Sequence, residues 1–478
     1  MSEKIPGEDQ LPTPGQVPPI APEPQSAQGP LADTEPAAPA DPEASPATGE
    51  AAEGGAAATT AGAVPPPPAA NTVLREILSS NWLMTLLAIV LALVVASILI
   101  VVTDTDVQKA AGYFFARPGD TFRAIGDAIG GAYSSLFQGA VYNFRRPGFI
   151  NGIKPITETL AFAAPLIAAG LGVAVAFRVG LFNIGGRGQI LIAAAVAGWI
   201  SWSFPLPPFI HMLVAVAGAL VGGAIWGGLV GFIKARTGAH EVILTIMLNY
   251  VALYLIQFLL KTPGALQAPG TSNPKSPSTD PSAVMPTLSD LLTALNGGTQ
   301  VGSFRLNVGF ILVILATLFV AWLLNRSSTG FRFRAVGENP HAARVAGIDV
   351  KWVFVLAMII SGALVGLAGS IQVLGTNTDG FGDGIDAGIG FDAITVALLG
   401  RSRPWGVFFS GILFGALKAG GYTIQASQGI PIDIVVVVQS VIVLFIAAPP
   451  LVRAVFRLPA PGSAPKARRP RRTAEVAR

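Results

Sequence analysis

The chain contains no cysteine, and its 478 residues include only three histidines, His211, His240 and His341. Disulfides, thiolate catalysis and thiolate-held metals are therefore excluded. The histidines are scattered and show no metal-ligand spacing. No Gly-Lys pair occurs anywhere, so the phosphate-binding loop GxxxxGK[ST] is absent and any use of ATP must come from another subunit. A GxSxG nucleophile elbow is also lacking, so nothing points to an enzyme active site. Charge is scarce: 12% of residues are Asp, Glu, Lys or Arg, against about 25% in soluble domains. Hydrophobic residues make up 51% of the chain and the mean hydropathy is +0.59. A water-soluble protein this apolar could not cover its own surface with polar groups, so lipid is the solvent for much of it.

What is present is distributed unevenly. Residues 1–70 hold 16 of the 38 prolines and ten acidic groups against one base, Lys4. Such a segment has too little apolar bulk to repay ordering, and it reads as a disordered acidic tail, either a solvated spacer or a docking tail. It lacks the basic start and apolar core of a signal peptide. Residues 71–154 read as a first span, Trp82–Val102, followed by an external amphipathic segment of short helices. Residues 155–450 form the main transmembrane domain, and 451–478 form a basic tail with eight Lys or Arg and one acid, Glu475.

The apolar runs predict an all-α, polytopic transmembrane helix bundle. About ten spans are expected: 82–102, 155–177, 190–204, 209–233, 241–260, 306–325, 352–374, 391–400, 404–420 and 431–449. The 391–400 piece is too short to cross alone and reads as a half-helix shielded by protein or a cavity. Orientation follows the basic loops. Arg326, Arg332, Arg334, Arg344 and Lys351 crowd one loop; Lys234 with Arg236, Arg401 with Arg403, and the C-terminal tail mark the others. With ten spans and a cytoplasmic N-terminus, all of these and both termini fall on the cytoplasmic side. The 375–390 loop, with Asp379, Asp383 and Asp386 and no base, falls outside. Arg145, Arg146 and Lys154 run against this scheme, but their segment is long enough to weaken the rule. Glycines four apart (Gly218/Gly222, Gly223/Gly227/Gly231, Gly362/Gly366, Gly411/Gly415) form stripes for close helix packing, within one subunit or across a dimer.

Polar islands inside the apolar runs are the candidate functional segments. In Phe177–Gln189, Asn183, Arg187 and Gln189 interrupt membrane-like sequence among four glycines. This is either a Gly-broken helix lining a solute path or a solvated turn. In Gly238–Tyr250, Glu241, Thr245 and Asn249 share one helix face; Glu241 suits the helix start, and Asn249 suits a cavity. In Gly330–Ile348, Asn339 is an N-cap residue ahead of Pro340, so a short helix is expected to start at Pro340, run His341–Ala346 and stop at Gly347. That element suits docking on a partner, or it is an ordinary positive-inside loop. Lys418 lies in an apolar run, where it is either functional or snorkels to an interface.

At these islands the chain resembles the branched-chain amino acid, ribose and nucleoside permeases of ABC importers, and most closely the nucleoside or simple-sugar subgroup. Phe182-Asn-Ile-Gly185 with Gly188-Gln189 is similar to its FNIG-x-x-GQ signature. Glu241-Val-Ile with Thr245-Ile-Met-Leu-Asn249-Tyr250 is similar to its EVI-x-TIMLNY helix. Arg334-Ala-Val-Gly337-Glu338-Asn339-Pro340, with Ala342, Ala343 and Gly347, resembles its ATPase-coupling loop. The likeness spans about 155–449. It implies the permease subunit of an importer that carries nucleosides or related sugar-containing solutes across a bacterial inner membrane. It also implies partners: a cytoplasmic ABC ATPase that binds ATP and Mg, a second and usually different permease, an extracytoplasmic solute-binding protein or lipoprotein, and membrane lipid. No cofactor on this chain and no nucleic acid partner is expected. Asn183, Gln189, Thr245 and Asn249 would lie near the solute path. One departure is Arg187, where the family commonly has an acid. The alternative function is a secondary transporter driven by an ion gradient, which would require intramembrane acids.

Overall fold

The computed structural model describes residues 81–456; the N-terminal tail and residues 457–478 lie outside the described residues. Among the described residues the chain is helical, and the one β feature is an isolated antiparallel bridge between Thr287 and Asn307. The helices are α1 (Asn81–Thr103), α2 (Thr105–Ala111), α3 (Pro118–Ala140), α4 (Phe149–Arg178), α5 (Gly186–Ser203), α6 (Ile210–Thr237), α7 (Glu241–Lys261) and α8 (Leu288–Leu295). They continue with α9 (Gly309–Arg326), α10 (Ser328–Glu338), α11 (Pro340–Val345), α12 (Val350–Ile371), α13 (Ile389–Leu399), α14 (Pro404–Gln428), α15 (Asp433–Ala447) and α16 (Pro449–Val455).

Local chemistry sets many of the boundaries. The Asp104 side chain accepts from the Asp106 and Val107 amides and opens α2. Thr287 and Asp290 form a reciprocal capping box at α8. Asp349 caps α12 through the Trp352 amide. Gly238 and Gly429, both in left-handed conformation, end α6 and α14. Each device gives a hydrogen-bond partner to end groups that have none inside their own helix.

Among the described residues seven helices are long and apolar enough to cross a bilayer: Leu86–Thr103, α4, α6, α7, α9, Val350–Thr376 and α14. Three of the ten expected spans fall short of that standard. Helix α5 begins with Arg187 and Gln189, so its apolar part starts only at Ile190. Helix α13 has 11 residues, about 16 Å of rise, which matches the expected half-helix. Helix α15 has 15 residues, about 22 Å. The segment read as short amphipathic helices holds one short helix, α2, and one of 23 residues, α3. The latter packs on α14: a Cβ at Gly139 would run into Thr423, and one at Gly420 into Leu136.

Helix α4 is the central post, buried without a break from Ala163 to Ala176. Helices α12, α13, α14 and α9 surround it. The outer faces carry large exposed apolar side chains such as Ile225, Ile243, Phe258 and Phe409, a surface suited to lipid.

The glycine stripes pack within the chain. A Cβ at Gly223 would strike the Gly362 carbonyl, one at Gly366 would strike Ala219, and one at Gly415 would strike Thr159. Backbones of α6 and α12 thus touch directly, the geometry small residues permit in membrane bundles. Gly362→Leu should lower stability by about 1–3 kcal/mol through overpacking, read as an earlier thermal midpoint of the detergent-solubilised protein. Gly126→Ala, where nothing lies within 4 Å of the added carbon, should leave that midpoint within error.

Candidate functional site

The first polar island closes on itself. Between α4 and α5 the chain leaves the helix, and its groups find partners in the protein. Asn183 Nδ2 donates to Ser361 Oγ at 2.9 Å, and its Oδ1 accepts from the Gly185 amide at 2.9 Å. Its carboxamide also faces Gln189, with amide pairs at 3.4 and 3.5 Å. Asn249 Oδ1 accepts from the Gly188 amide at 2.8 Å, and its Nδ2 donates to the Ile184 carbonyl at 2.9 Å. Thr245 packs beside Gly185, with its hydroxyl bound to the Val242 carbonyl at 3.0 Å. The four residues expected near a solute path are therefore brought together around Gly185 and Gly188. All four are buried, and the hydrogen bonds they make go to protein.

Glu241 opens α7 and is also shared. Lys234 donates to it at 2.6 Å, and the Phe182 amide reaches it at 3.4 Å. Arg187 forms an ion pair with Asp386 at 3.3 Å. Burial pushes the Asp386 carboxyl above its ordinary range, and the Arg187 guanidinium pulls the other way. The basic residue at position 187 is thus answered by an acid from the α12–α13 connection.

The second region is the elbow of α10 and α11. The expected short helix is present at Pro340–Val345, with Pro340 at its first position and the Asn339 side chain accepting from the His341 and Ala342 amides at 3.0 Å each. Gly347 follows at φ +82°. Gly337 needs to be glycine because its α-carbon lies against the carbonyl of Arg178, where any side chain would collide. Glu338, Asn339, Pro340 and Ala342 are exposed, Ala343 is buried and Arg334 is half-buried. Val345 is 91% exposed, although its side chain is apolar. Arg178 lies in the field of Arg334 and Arg403, so this end of the bundle is strongly basic.

The third region went unnoticed in the sequence apart from Lys418. At the opposite ends of α4, α12 and α14 lies a cavity of about 410 Å³. Its wall includes Glu158, Phe162, Arg305, Gln372, Asn377 and Tyr422. Phe162 and Tyr422 stack with ring centroids 5.5 Å apart and planes 21° apart. Arg305 faces Glu158 at 3.8 Å. Lys418 also lines the cavity and is held by Asp392 of α13 at 2.6 Å. Gln372 to Thr376 form a π-helical turn that closes on the Asn377 amide, a distortion frequent at functional sites. The available signal was the polar run after Gln372 at the end of an otherwise apolar helix. Glu158, Phe162 and Tyr422 carried no signal, because a single polar or aromatic residue at a helix end is ordinary.

A bundle of membrane-crossing helices with an exposed elbow at one end and a lined cavity at the other is the architecture of a membrane permease. Residues 156–447 match the family described as branched-chain amino acid transport system / permease component, and the chain belongs to that family. It is 35% identical over 331 residues to the guanosine ABC transporter permease protein NupP of Bacillus subtilis (strain 168), covering 69% of this chain and 89% of that protein. It is 35% identical over 302 residues to the nucleoside ABC transporter permease protein NupB of Lactococcus lactis subsp. cremoris (strain MG1363), covering 62% and 80% of the two. The glucose ABC transporter permease protein TsgB13 of Haloferax volcanii is 32% identical over 293 residues, covering 61% and 75%.

Two outcomes test these contacts. Asn249→Leu strands the Gly188 amide and the Ile184 carbonyl and should destabilise the protein by about 1–3 kcal/mol, measured by thermal unfolding in detergent. Lys418→Met should cost about 3 kcal/mol by leaving Asp392 without its partner, and adding Asp392→Leu should recover most of that loss. A double variant no more stable than the single would show that the pair is not coupled.

Proposed function

We propose that this chain is one permease subunit of an ATP-driven importer that carries nucleosides or related sugar-containing solutes into a bacterial cell. The observation that carries this reading is the exposed α11 elbow. It is a short, well-capped helix that leaves Val345 in the open at the basic end of the bundle. The chain has no phosphate-binding loop of its own, so the elbow is the handle for a separate ATPase that holds ATP and Mg. The names of NupP and NupB support a nucleoside as cargo.

The remaining partners follow from this reading. A second permease, different in sequence, pairs with this one in the inner membrane. An extracytoplasmic binding protein or lipoprotein delivers solute to the end opposite α11, and lipid surrounds the assembly. Both termini face the cytoplasm. Nucleotide-driven closure of the ATPase presses on α11, and α12, separated from α11 by four residues, transmits the movement. Direct backbone contact between α6 and α12 lets them shift with little side-chain interlocking. The Asn183, Gln189, Thr245 and Asn249 cluster braces α5 beside the path, and the cavity is the solute-facing surface. A gradient-driven carrier would need an unpaired acid in the bundle, and Glu158, Glu241 and Asp392 each face a base.

Affinity purification of the intact chain should bring down an ABC ATPase. Arg334→Glu, and Asn339→Ala, which removes a cap worth about 1 kcal/mol, should each release that ATPase and reduce uptake by at least about tenfold while the chain stays in the membrane. Accumulation of solute in vesicles without any nucleotide-hydrolysing partner would overturn the reading.

A further inference from the structure

We infer that the cavity beside Tyr422 is a resting site for a neutral solute carrying both an aromatic heterocycle and a sugar. The ring lies on the Tyr422–Phe162 stack, and the hydroxyls meet the Gln372 and Asn377 amides. This rests on the importer reading above.

Size and position come first. A volume of about 410 Å³ lies within the range of small-molecule sites, roughly 300–1,000 Å³. The helical run Val350–Thr376 has 27 residues, about 40 Å at 1.5 Å per residue. The cavity wall at Gln372 is therefore close to a bilayer's width from α11, on the side where solute would arrive.

The wall chemistry narrows the ligand. Tyr422 is 52% exposed while its ring is braced by Phe162, so it offers a fixed aromatic face. Such a face accepts any heterocyclic base. The charged groups facing the cavity are Glu158, Arg305 and Lys418, with Asp392 behind Lys418. Two acids and two bases cancel. Inside this cavity a phosphate ester would bring negative charge with no unpaired cation to receive it, and in a low-dielectric setting that is costly. A sugar hydroxyl both donates and accepts, as do the carboxamide of Asn377 and that of Gln372, whose Nε2 also donates to the Ile385 carbonyl at 3.2 Å.

A second cavity of about 310 Å³ shares Glu158, Phe162, Arg305 and Tyr422 with the first. The second cavity is also lined by Arg146 and Lys154, so it is basic where the first is balanced, and a neutral solute suits the first.

The test is uptake by cells whose sole copy of this permease is wild type or variant, with the rest of the importer intact. Labelled guanosine and uridine are the probes; ribose and guanosine monophosphate are the competitors. Tyr422→Leu and Phe162→Leu should each lower the uptake rate of both nucleosides at saturating solute by about fivefold or more, the loss of one stacking contact. Tyr422→Phe should stay near wild type, and immunoblots should show equal membrane levels. Guanosine monophosphate should not compete, and inhibition by ribose should not change in Tyr422→Leu. Tyr422 is half exposed, so it carries the test even if Phe162→Leu fails to insert. Nucleoside uptake by Tyr422→Leu at the wild-type rate would sink the site and leave the importer reading standing. No nucleoside uptake by wild type would sink the nucleoside reading itself, and the site with it.

Discussion

Every backbone amide buried in this bundle needs a partner from the protein, because lipid supplies none. Residues 179–185 follow α4 at the elbow end of the bundle and are not helical, while Asn183 and Gly185 among them are buried, so this is where that demand is hardest to meet. Asn183 and Asn249 meet it from two sides. One side-chain amide binds Gly185 and Ser361, and the other binds Gly188 and Ile184. Through these contacts the start of α5 is tied at once to α7 and to α12. The orientation of α5, the approach of Arg187 to Asp386, and the contact of Gly186 with Gly390 on α13 all depend on that knot.

The long helices then relate the two ends of the bundle. Helix α12 begins beside the α10–α11 elbow and ends in the π-helical turn that lines the cavity. Helix α4 passes the cavity at Glu158 and ends at Arg178, against Gly337 of the elbow. Two long helices thus join the basic, exposed elbow to the aromatic-lined cavity. Rigid helices in backbone contact transmit displacement better than loops do, and the glycine contacts between α6 and α12 leave few side chains to unlock.

Much of the framework was legible along the chain. The Asn339-Pro340 start and the Gly347 stop of α11 follow from capping chemistry, which acts within a few residues. The glycine stripes announced close packing, and the structure assigned them to contacts inside the chain. The polar face of Glu241, Thr245 and Asn249 was visible from spacing four, yet its meaning was not. Spacing placed those residues on one face; only the fold showed that Asn249 hydrogen-bonds the α4–α5 connection.

What the sequence determined by itself was the solvent, the helical class, the capped elbow and the absence of a nucleotide-binding loop, because each depends on composition or on neighbours in the chain. The tertiary structure decided the rest. Glu158, Arg305, Gln372 and Tyr422 come from four distant segments, and no periodicity links them. Lys418 finds Asp392, and Arg187 finds Asp386, only when α13 and its connection fold back on the bundle. A charge's partner in a membrane protein is set by which helices pack together, and that packing is a property of the whole bundle rather than of any stretch of it.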